Sequence, residues 1–518
     1  MIKKSDIFKL IYRNSYKDFI NFYNLSSDKF FNFLVTESPE KIEDLGQKMA
    51  LKLFRKASKE VPSYNKFLKD KAFNTKNIIT KKEFSSLPIT TKKNYLKKYD
   101  LNDFCWSGSF QQMNLISVSS GSTGEPFFWP RGLGLEYETT LEYEIILKNF
   151  FKADKNKTLF IVGYAMGMYV AGVFTLNSLM NLIKKGYPLT AVTPGSDRDS
   201  ILRIIKNIGK YFDQVIISAY PAVLKDVIDK GVKENLGWEK YNIKFISGGE
   251  GFSEEFRKYI YKRIGVKNYY KSSINTYGSA DAAILGHETP LSIYIRKLVS
   301  ENKELRKALF KDERLPSLLQ YYPPFKYFEE IDGNLIFTTY GGIPLVRYSI
   351  GDTGGVISFN KMTETLKNFN INIIKEMTKN KCGDVITRLP FVYLFGRADN
   401  TKIFYGANIY PEHIKKCLEQ KDIMHIVTGK YFIDILLDRN HNQTFYVAVE
   451  LAHGIKINKK LKNKIANTIH HNLLKINREY EYLLRTVGHR IFPSVELFTY
   501  GDPKYFSSKI KPEYVKKE

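Results

Sequence analysis

Lys244-Phe245-Ile246-Ser247-Gly248-Gly249-Glu250-Gly251-Phe252-Ser253-Glu254-Glu255 carries the clearest structural signal in the chain. An apolar run of strand length meets a glycine turn. Ser253 then stands where an N-cap belongs, with Glu254 and Glu255 in the first turn, facing the positive end of a helix dipole. Val215-Ile216-Ile217-Ser218 before Tyr220-Pro221 repeats the theme. From about residue 155 onward, short apolar runs alternate with amphipathic stretches, the pattern of βα units in an α/β sheet. Turns that follow such strands lie at strand C-terminal ends, where open α/β sheets bind ligands.

Further out, Leu335-Ile336-Phe337-Thr338-Thr339 and Leu345-Val346-Arg347-Tyr348, separated by Gly341-Gly342, predict a hairpin or barrel-like segment over residues 334–357. After Gly396-Arg397 a smaller α+β unit is expected. It comprises a strand and turn through Lys402 to Asn408, a helix begun at Pro411, strands around Asn440, one long helix over residues 459–485 and a last strand from Ser494 to Thr499. A chain of 518 residues exceeds the roughly 250–300 that one core sustains. The expected fold class is a large α/β N-terminal domain with a β-barrel-like subregion over residues 1–395, and a small α+β C-terminal domain over 396–518. Residues 1–80 read as a helical cover, and no solenoid-length repeat is visible.

Hydrophobic content of 43% and charged content of 26% place the chain among folded globular proteins. The net charge of +26 suggests nucleic acid or anionic membrane as a partner, but the lysines are spread along the whole chain, so no specific nucleic acid is expected. Leu159 to Ile183 carries no charge and is long enough to span a bilayer. Thr175, Asn177, Ser178 and Asn181 dilute it, and it reads as a buried strand, a glycine-broken turn and an apolar helix. Asp6, Lys9, Arg13 and Lys17 interrupt the N-terminal apolar positions, so neither a signal peptide nor a transmembrane segment is expected, and the location follows as cytoplasmic. Cys105, Cys382 and Cys417 are far apart and match no disulfide or zinc spacing. The eight histidines, including His470-His471, form no recognisable catalytic set and default to solvated surface.

Ser119-Ser120-Gly121-Ser122-Thr123-Gly124-Glu125-Pro126 gathers hydroxyls and unobstructed backbone N–H groups able to converge on one anion. No lysine follows at the Walker position, and a flexible polar linker has the same composition. Further along, in order, come Ser247-Gly248-Gly249-Glu250, Tyr277-Gly278-Ser279-Ala280-Asp281, Arg347-Tyr348-Ser349-Ile350-Gly351-Asp352 and Gly396-Arg397-Ala398-Asp399.

Taken together, in this order over roughly residues 80–518, these motifs resemble the adenylate-forming superfamily. The resemblance is strongest to its phenylacetate-CoA ligase-like branch, whose motifs read SSGSTGEP, GGE, YGSTE, PLIRYRTGD and GRADD. It implies ATP-dependent activation of a small-molecule carboxylic acid as an acyl-adenylate, with release of pyrophosphate. Acyl transfer to a thiol follows, either CoA or the phosphopantetheine of a separate acyl carrier protein. By resemblance Ser119, Ser120, Gly121, Ser122, Thr123 and Gly124 would cradle the ATP phosphates. Gly248, Gly249, Glu250, Tyr277, Gly278 and Ser279 would lie against the nucleotide. Asp352 would accept from the ribose hydroxyls, and Arg397 would contact ribose or phosphate. Asp281 stands where the family has a glutamate that helps hold Mg2+, and Ser349-Ile350 replaces the usual Arg-Thr. Tyr220, Pro221 and Gly248 would line the acyl pocket, with Tyr164, Met166 and Phe245 as apolar neighbours. Asp399 matches the hinge about which the small domain turns, and Lys511 the catalytic lysine, with Lys509 and Lys504 as alternates. Some members of the branch carry a Cys/His metal cluster after YGSTE; only His287 stands there in this chain, so no zinc is expected. For Asp281 the competing reading is the cap of a following helix. For the whole chain there are two: transfer to an amine or hydroxyl acceptor, and a catalytically inactive, basic nucleic-acid or membrane-surface binding protein on the same fold.

Overall fold

The computed structural model describes residues 27–74, 78, 80–111, 113–119, 127–397 and 401–506. Ser120, Gly121, Ser122, Thr123, Gly124, Asp399, Lys509 and Lys511 therefore lie outside the described residues, as does the rest of the loop between Ser119 and Phe127.

Among the described residues a mixed sheet of thirteen strands organises the larger part. Its parallel half runs Leu189–Val192, Thr158–Gly163, Gln214–Ala219, Ile243–Gly248 and Ser273–Ser279. Every residue of Thr158–Gly163 and of Gln214–Ala219 is buried, because helices cover both faces of a parallel sheet. The helices Arg198–Ile208, Pro221–Lys233 and Glu254–Ile264 supply one covering layer. Ser253 caps the last of these, its hydroxyl accepting from the Phe256 N–H at 3.1 Å. The uncharged run resolves into the strand Thr158–Gly163 and the helix Val170–Lys184. Among the described residues no helix is long and apolar enough to cross a membrane.

Antiparallel strands continue the sheet from Ala283–His287 to Ser317–Gln320, Phe391–Arg397, Asp352–Ile357, Asn334–Thr339 and Leu345–Ser349. The expected hairpin is present, with Thr339 opposite Leu345 and Phe337 opposite Tyr348, but it belongs to the one continuous sheet. The helices Ser27–Thr36, Pro39–Glu60 and Pro62–Asp70 cover this end. Phe30, Ile42, Leu45, Met49 and Leu53 turn inward and join the same core as Tyr322 and Phe328.

The C-terminal region is α+β. Val427–Leu437 and Gln443–Leu451 form an antiparallel pair, and Ser494–Phe498 lies parallel to the second. Its core includes Phe404, Ile433, Phe445, Val447, Ile469 and Tyr480, joined from the larger part by Ala222. The long helix expected over 459–485 is two helices, Lys459–Ile476 and Arg478–Thr486. Asn477 is extended between them (φ −129°), and its side chain caps the second by accepting from the Tyr480 N–H at 3.0 Å. The histidines also depart from solvated surface: His287, His413 and His470 are all buried. The Cys105, Cys382 and Cys417 thiols are free and buried, and burial pushes those of Cys105 and Cys417 up to about 11 and about 12.

Candidate active site

Register fixes where the turns go. Gly163 pairs with Ala219, Ala219 with Ser247, and Gly248 with Thr276. Tyr164 and Tyr220 consequently stand level with Gly248 and Thr276, and Gly249 and Tyr277 one row further on, at one edge of the parallel half, the place such sheets offer to ligands.

From that edge, the Tyr277 hydroxyl donates to Asp352 Oδ2 at 2.5 Å. Asp352 is 6% exposed, so the bond forms largely out of water, where a charge-assisted contact is strong. In the next strand pair Asp352 stands opposite Arg397. Three segments far apart in the chain, carrying Tyr277, Asp352 and Arg397, therefore meet.

A second set of bonds ties the Ser119 hairpin to the same place. Leu115–Val118 and Phe128–Arg131 are antiparallel, and Ser119 closes their last rung: its hydroxyl accepts from the Phe127 N–H at 3.0 Å. At the other end of the hairpin, Arg131 is buried and donates to the Asp281 carbonyl at 3.1 Å and to the Ala280 carbonyl. Burial lowers the Arg131 guanidinium to about 10, against the opposing pull of Asp281. The Asp281 carboxylate accepts from the Tyr348 hydroxyl at 2.7 Å. No helix follows Asp281; it sits in the turn between Ser273–Ser279 and Ala283–His287, so the helix-cap reading is excluded. Ser279 accepts from the Ala282 N–H at 3.2 Å and shapes that turn, while Gly278 is exposed beside it.

Gly248, Gly249 and Glu250 form the turn after Ile243–Gly248. A Cβ on Gly248 would come within 2.4 Å of Thr276 Oγ1 and 3.5 Å of the Tyr164 hydroxyl. Gly249 has φ +83°, and a Cβ there would lie 2.6 Å from the Tyr220 ring. Tyr220, placed by Pro221 at the start of its helix, packs edge-on to Tyr164 at 5.1 Å. Glu250 accepts from the Ala222 N–H at 3.3 Å and from Gln443 Nε2 at 3.1 Å, and burial pushes its carboxyl up to about 7. A cleft of about 1770 Å³ opens next to this turn, lined by Glu250, Gly251, Thr353 and Gly396 from one side and by Lys402 and Gln443 from the other. Lys504 is exposed, its ammonium 5.4 Å from the Phe498 ring centroid.

Under this turn lies a buried ion cluster. Arg257 pairs with Glu254 at 3.1 Å and with Glu288 at 2.6 Å, and Arg296 pairs with Glu254 at 2.7 Å. Glu288 accepts from the Asn275 N–H at 2.8 Å, and Arg296 donates to the Phe252 carbonyl, so the cluster holds the backbone on both sides of the glutamate turn. His287 is part of the packing, with Nε2 2.6 Å from the Tyr322 hydroxyl, and burial lowers it to about 4. Among the described residues no group of three or more His, Cys, Asp or Glu is placed to hold a metal ion. Arg131, Glu288, Arg296 and Gln443 escape sequence reasoning because their partners are distant in the chain. Only Arg131, on the return strand of the Ser119 loop, carries a local signal, its place in the hairpin.

No family model and no curated protein matches the chain. Among solved structures it is similar to a 2-hydroxyisobutyryl-CoA ligase in complex with 2-HIB-AMP and CoA in the thioesterification state, at 13% identity and TM-score 0.67, over 93% of this chain and 91% of that one. The same ligase in the postadenylation state with R3-HIB-AMP gives 13% identity and TM-score 0.54, over 94% and 92%. Its open conformation with 2-HIB-AMP and CoA gives 12% identity and 0.53, over 93% of each chain. The shared feature is the fold: a large α/β part with a mixed sheet and a smaller C-terminal α+β region.

Proposed function

We propose that this protein is an ATP-dependent ligase that activates a small carboxylic acid as its acyl-adenylate and passes the acyl group to a thiol, as in the phenylacetate-CoA ligase-like branch. The observation that carries the reading is the meeting of Tyr277, Asp352 and Arg397 at the edge of the parallel sheet, with the Ser119 hairpin tied to the neighbouring turn through Arg131. An acid oxygen attacks the α-phosphorus and pyrophosphate departs; the thiol sulfur then attacks the acyl carbon, AMP departs, and the thiol proton goes to solvent. Catalysis of the first step is mostly positioning and charge stabilisation.

In this reading Asp352, oriented by the Tyr277 hydroxyl, accepts from the ribose hydroxyls, and Arg397 stands beside it for ribose or phosphate. Gly248, Gly249, Gly278 and Ser279 border the nucleotide, and Ser119 anchors the loop whose Ser120 to Gly124 meet the phosphates. Tyr220 and Pro221 border the acid. Lys511 supplies a positive charge to the α-phosphate, and Asp399 is the hinge of a small domain beginning at residue 396. The Asp281 carboxylate is a hard oxygen donor that suits a Mg2+ carried on ATP phosphates, which needs one or two protein carboxylates rather than a cage. Mg2+ there would neutralise phosphate charge; Tyr348 orients Asp281 for it. The fold shared with a ligase crystallised with an acyl-AMP and CoA supports both half-reactions, with CoA or a carrier phosphopantetheine as the thiol.

Incubation with ATP, Mg2+, a panel of carboxylic acids and hydroxylamine tests activation; replacing hydroxylamine with CoA and weighing the product identifies the acceptor. An acyl hydroxamate with one class of acid and a thioester with CoA are expected. Hydroxamate without thioester, and an amide or ester with another acceptor, would reassign the second step.

A further inference from the structure

We infer that Gln443 is a positioning residue for the acyl-transfer step: it fastens the Tyr405–Gly406 turn of the C-terminal region to Glu250, at the mouth of the acyl crevice. The inference rests on the ligase reading above and adds to it a residue outside the motifs.

Gln443 opens the strand Gln443–Leu451 and uses both ends of its amide. Its Oε1 accepts from the Tyr405 N–H at 2.8 Å, and its Nε2 donates to Glu250 Oε2 at 3.1 Å. Tyr405 holds a left-handed backbone (φ +49°), costly for a residue with a Cβ, and the bond to Gln443 holds it there. Gly406 follows at φ +84° and comes so near Tyr220 that a Cβ would lie 2.5 Å from the ring. The Tyr220 ring is thus pressed between Gly249 of the glutamate turn and Gly406 of the C-terminal region. Two further contacts land on the same helix, Pro221–Lys233, whose Ala222 N–H donates to Glu250: Lys225 donates to Asn442 Oδ1 at 2.7 Å, and Arg490 donates to Asp226 Oδ1 at 2.9 Å. Gln443 is the member of this group that touches both the glutamate turn and the turn laid over Tyr220.

We assign the arrangement to the second step because the chain, over 93–94% of its length, superposes better on the thioesterification state of the CoA ligase, at 0.67, than on its postadenylation or open states, at 0.54 and 0.53. Contacts made only in this arrangement act on one half-reaction and not on the other.

The test uses the full chain with Gln443→Ala, and with the near-isosteric Gln443→Glu, which sets a second carboxyl against Glu250. Three quantities are read: amide hydrogen exchange over residues 402–409, thioester formation from preformed acyl-adenylate and CoA, and acid-dependent ATP–pyrophosphate exchange. Losing one such hydrogen bond should speed amide exchange at Tyr405 and slow thioester formation by about tenfold each. Pyrophosphate exchange should stay within about twofold of the parent, as befits a contact absent from that step. Equal losses in both half-reactions, or unchanged amide protection in both variants, would overturn the proposal. If the parent protein itself shows no acid-dependent pyrophosphate exchange, the ligase reading fails; amide exchange alone then decides whether Gln443 fastens the turn, and the step-specific role is rejected.

Discussion

Tyr277 and Asp352 show what one hydrogen bond can do at this site. Their contact of 2.5 Å holds a largely buried carboxylate in one orientation. Tyr277→Phe should raise KM for ATP by about tenfold, the size of a charge-assisted hydrogen bond, with little effect on stability. Asp352→Ala should go further and lower kcat/KM by about a hundredfold or more, because the proposed ribose contact itself is lost. Steady-state kinetics in ATP separate the two; a larger loss from Tyr277→Phe than from Asp352→Ala would mean that Tyr277 does not act through Asp352. His287 and His413 matter for stability instead. Burial lowers both to about 4, below the ordinary value of 6.5. The native state therefore keeps them neutral while the unfolded chain takes up protons. Their contribution is fully present above pH 6.5 and is lost as pH falls from there towards 4. Each should remove on the order of 2 kcal/mol over that window, and His287→Gln should flatten the dependence accordingly in urea unfolding at pH 7.5 and pH 5. A pH dependence unchanged by the substitution would show that His287 titrates normally. In the sequence these histidines carry no sign of burial, because a single polar residue reads the same on either face until its neighbours are placed.

At the scale of elements, most of the fold was legible. The alternation from Lys244 to Glu255 gives the strand, the turn and the cap at Ser253 that are observed, and the run from Leu159 to Ile183 divides as its polar residues suggested. Local pattern failed at Asn477, where helical spacing continues through a residue whose side chain is better used as a cap. It also gave no hint that Glu254 faces inward, since a carboxylate in a first turn normally faces solvent and the helix dipole. Here Arg257 and Arg296 enclose it and, with Glu288, hold the glutamate turn from below. Arg257→Met removes the shared cation and leaves two carboxylates buried, which should cost about 3–5 kcal/mol in unfolding free energy. Thermal and urea unfolding measure this; a loss near that of an exposed ion pair would mean that the cluster is solvated in solution.

For the whole molecule, the order of the motifs along the chain indicated one crevice, and strand register supplies the reason: Gly163, Ala219 and Ser247 align and Gly248 pairs with Thr276 one row further on, so the turns beyond them share an edge. Contacts between the C-terminal region and the larger part, such as Gln443 with Glu250 or Arg490 with Asp226, were invisible, since nothing local distinguishes a glutamine that closes a site from one in solvent. The basic charge of +26 suits polyanions such as ATP and CoA, and that attraction should weaken as salt is raised. The most direct measurement is the exchange of labelled pyrophosphate into ATP, in the presence of Mg2+, across a panel of carboxylic acids. Exchange that requires one class of acid and disappears in Asp352→Ala is the expected result. ATP and Mg2+ that give no exchange with any acid, or exchange untouched by Asp352→Ala, would contradict adenylate formation at this crevice.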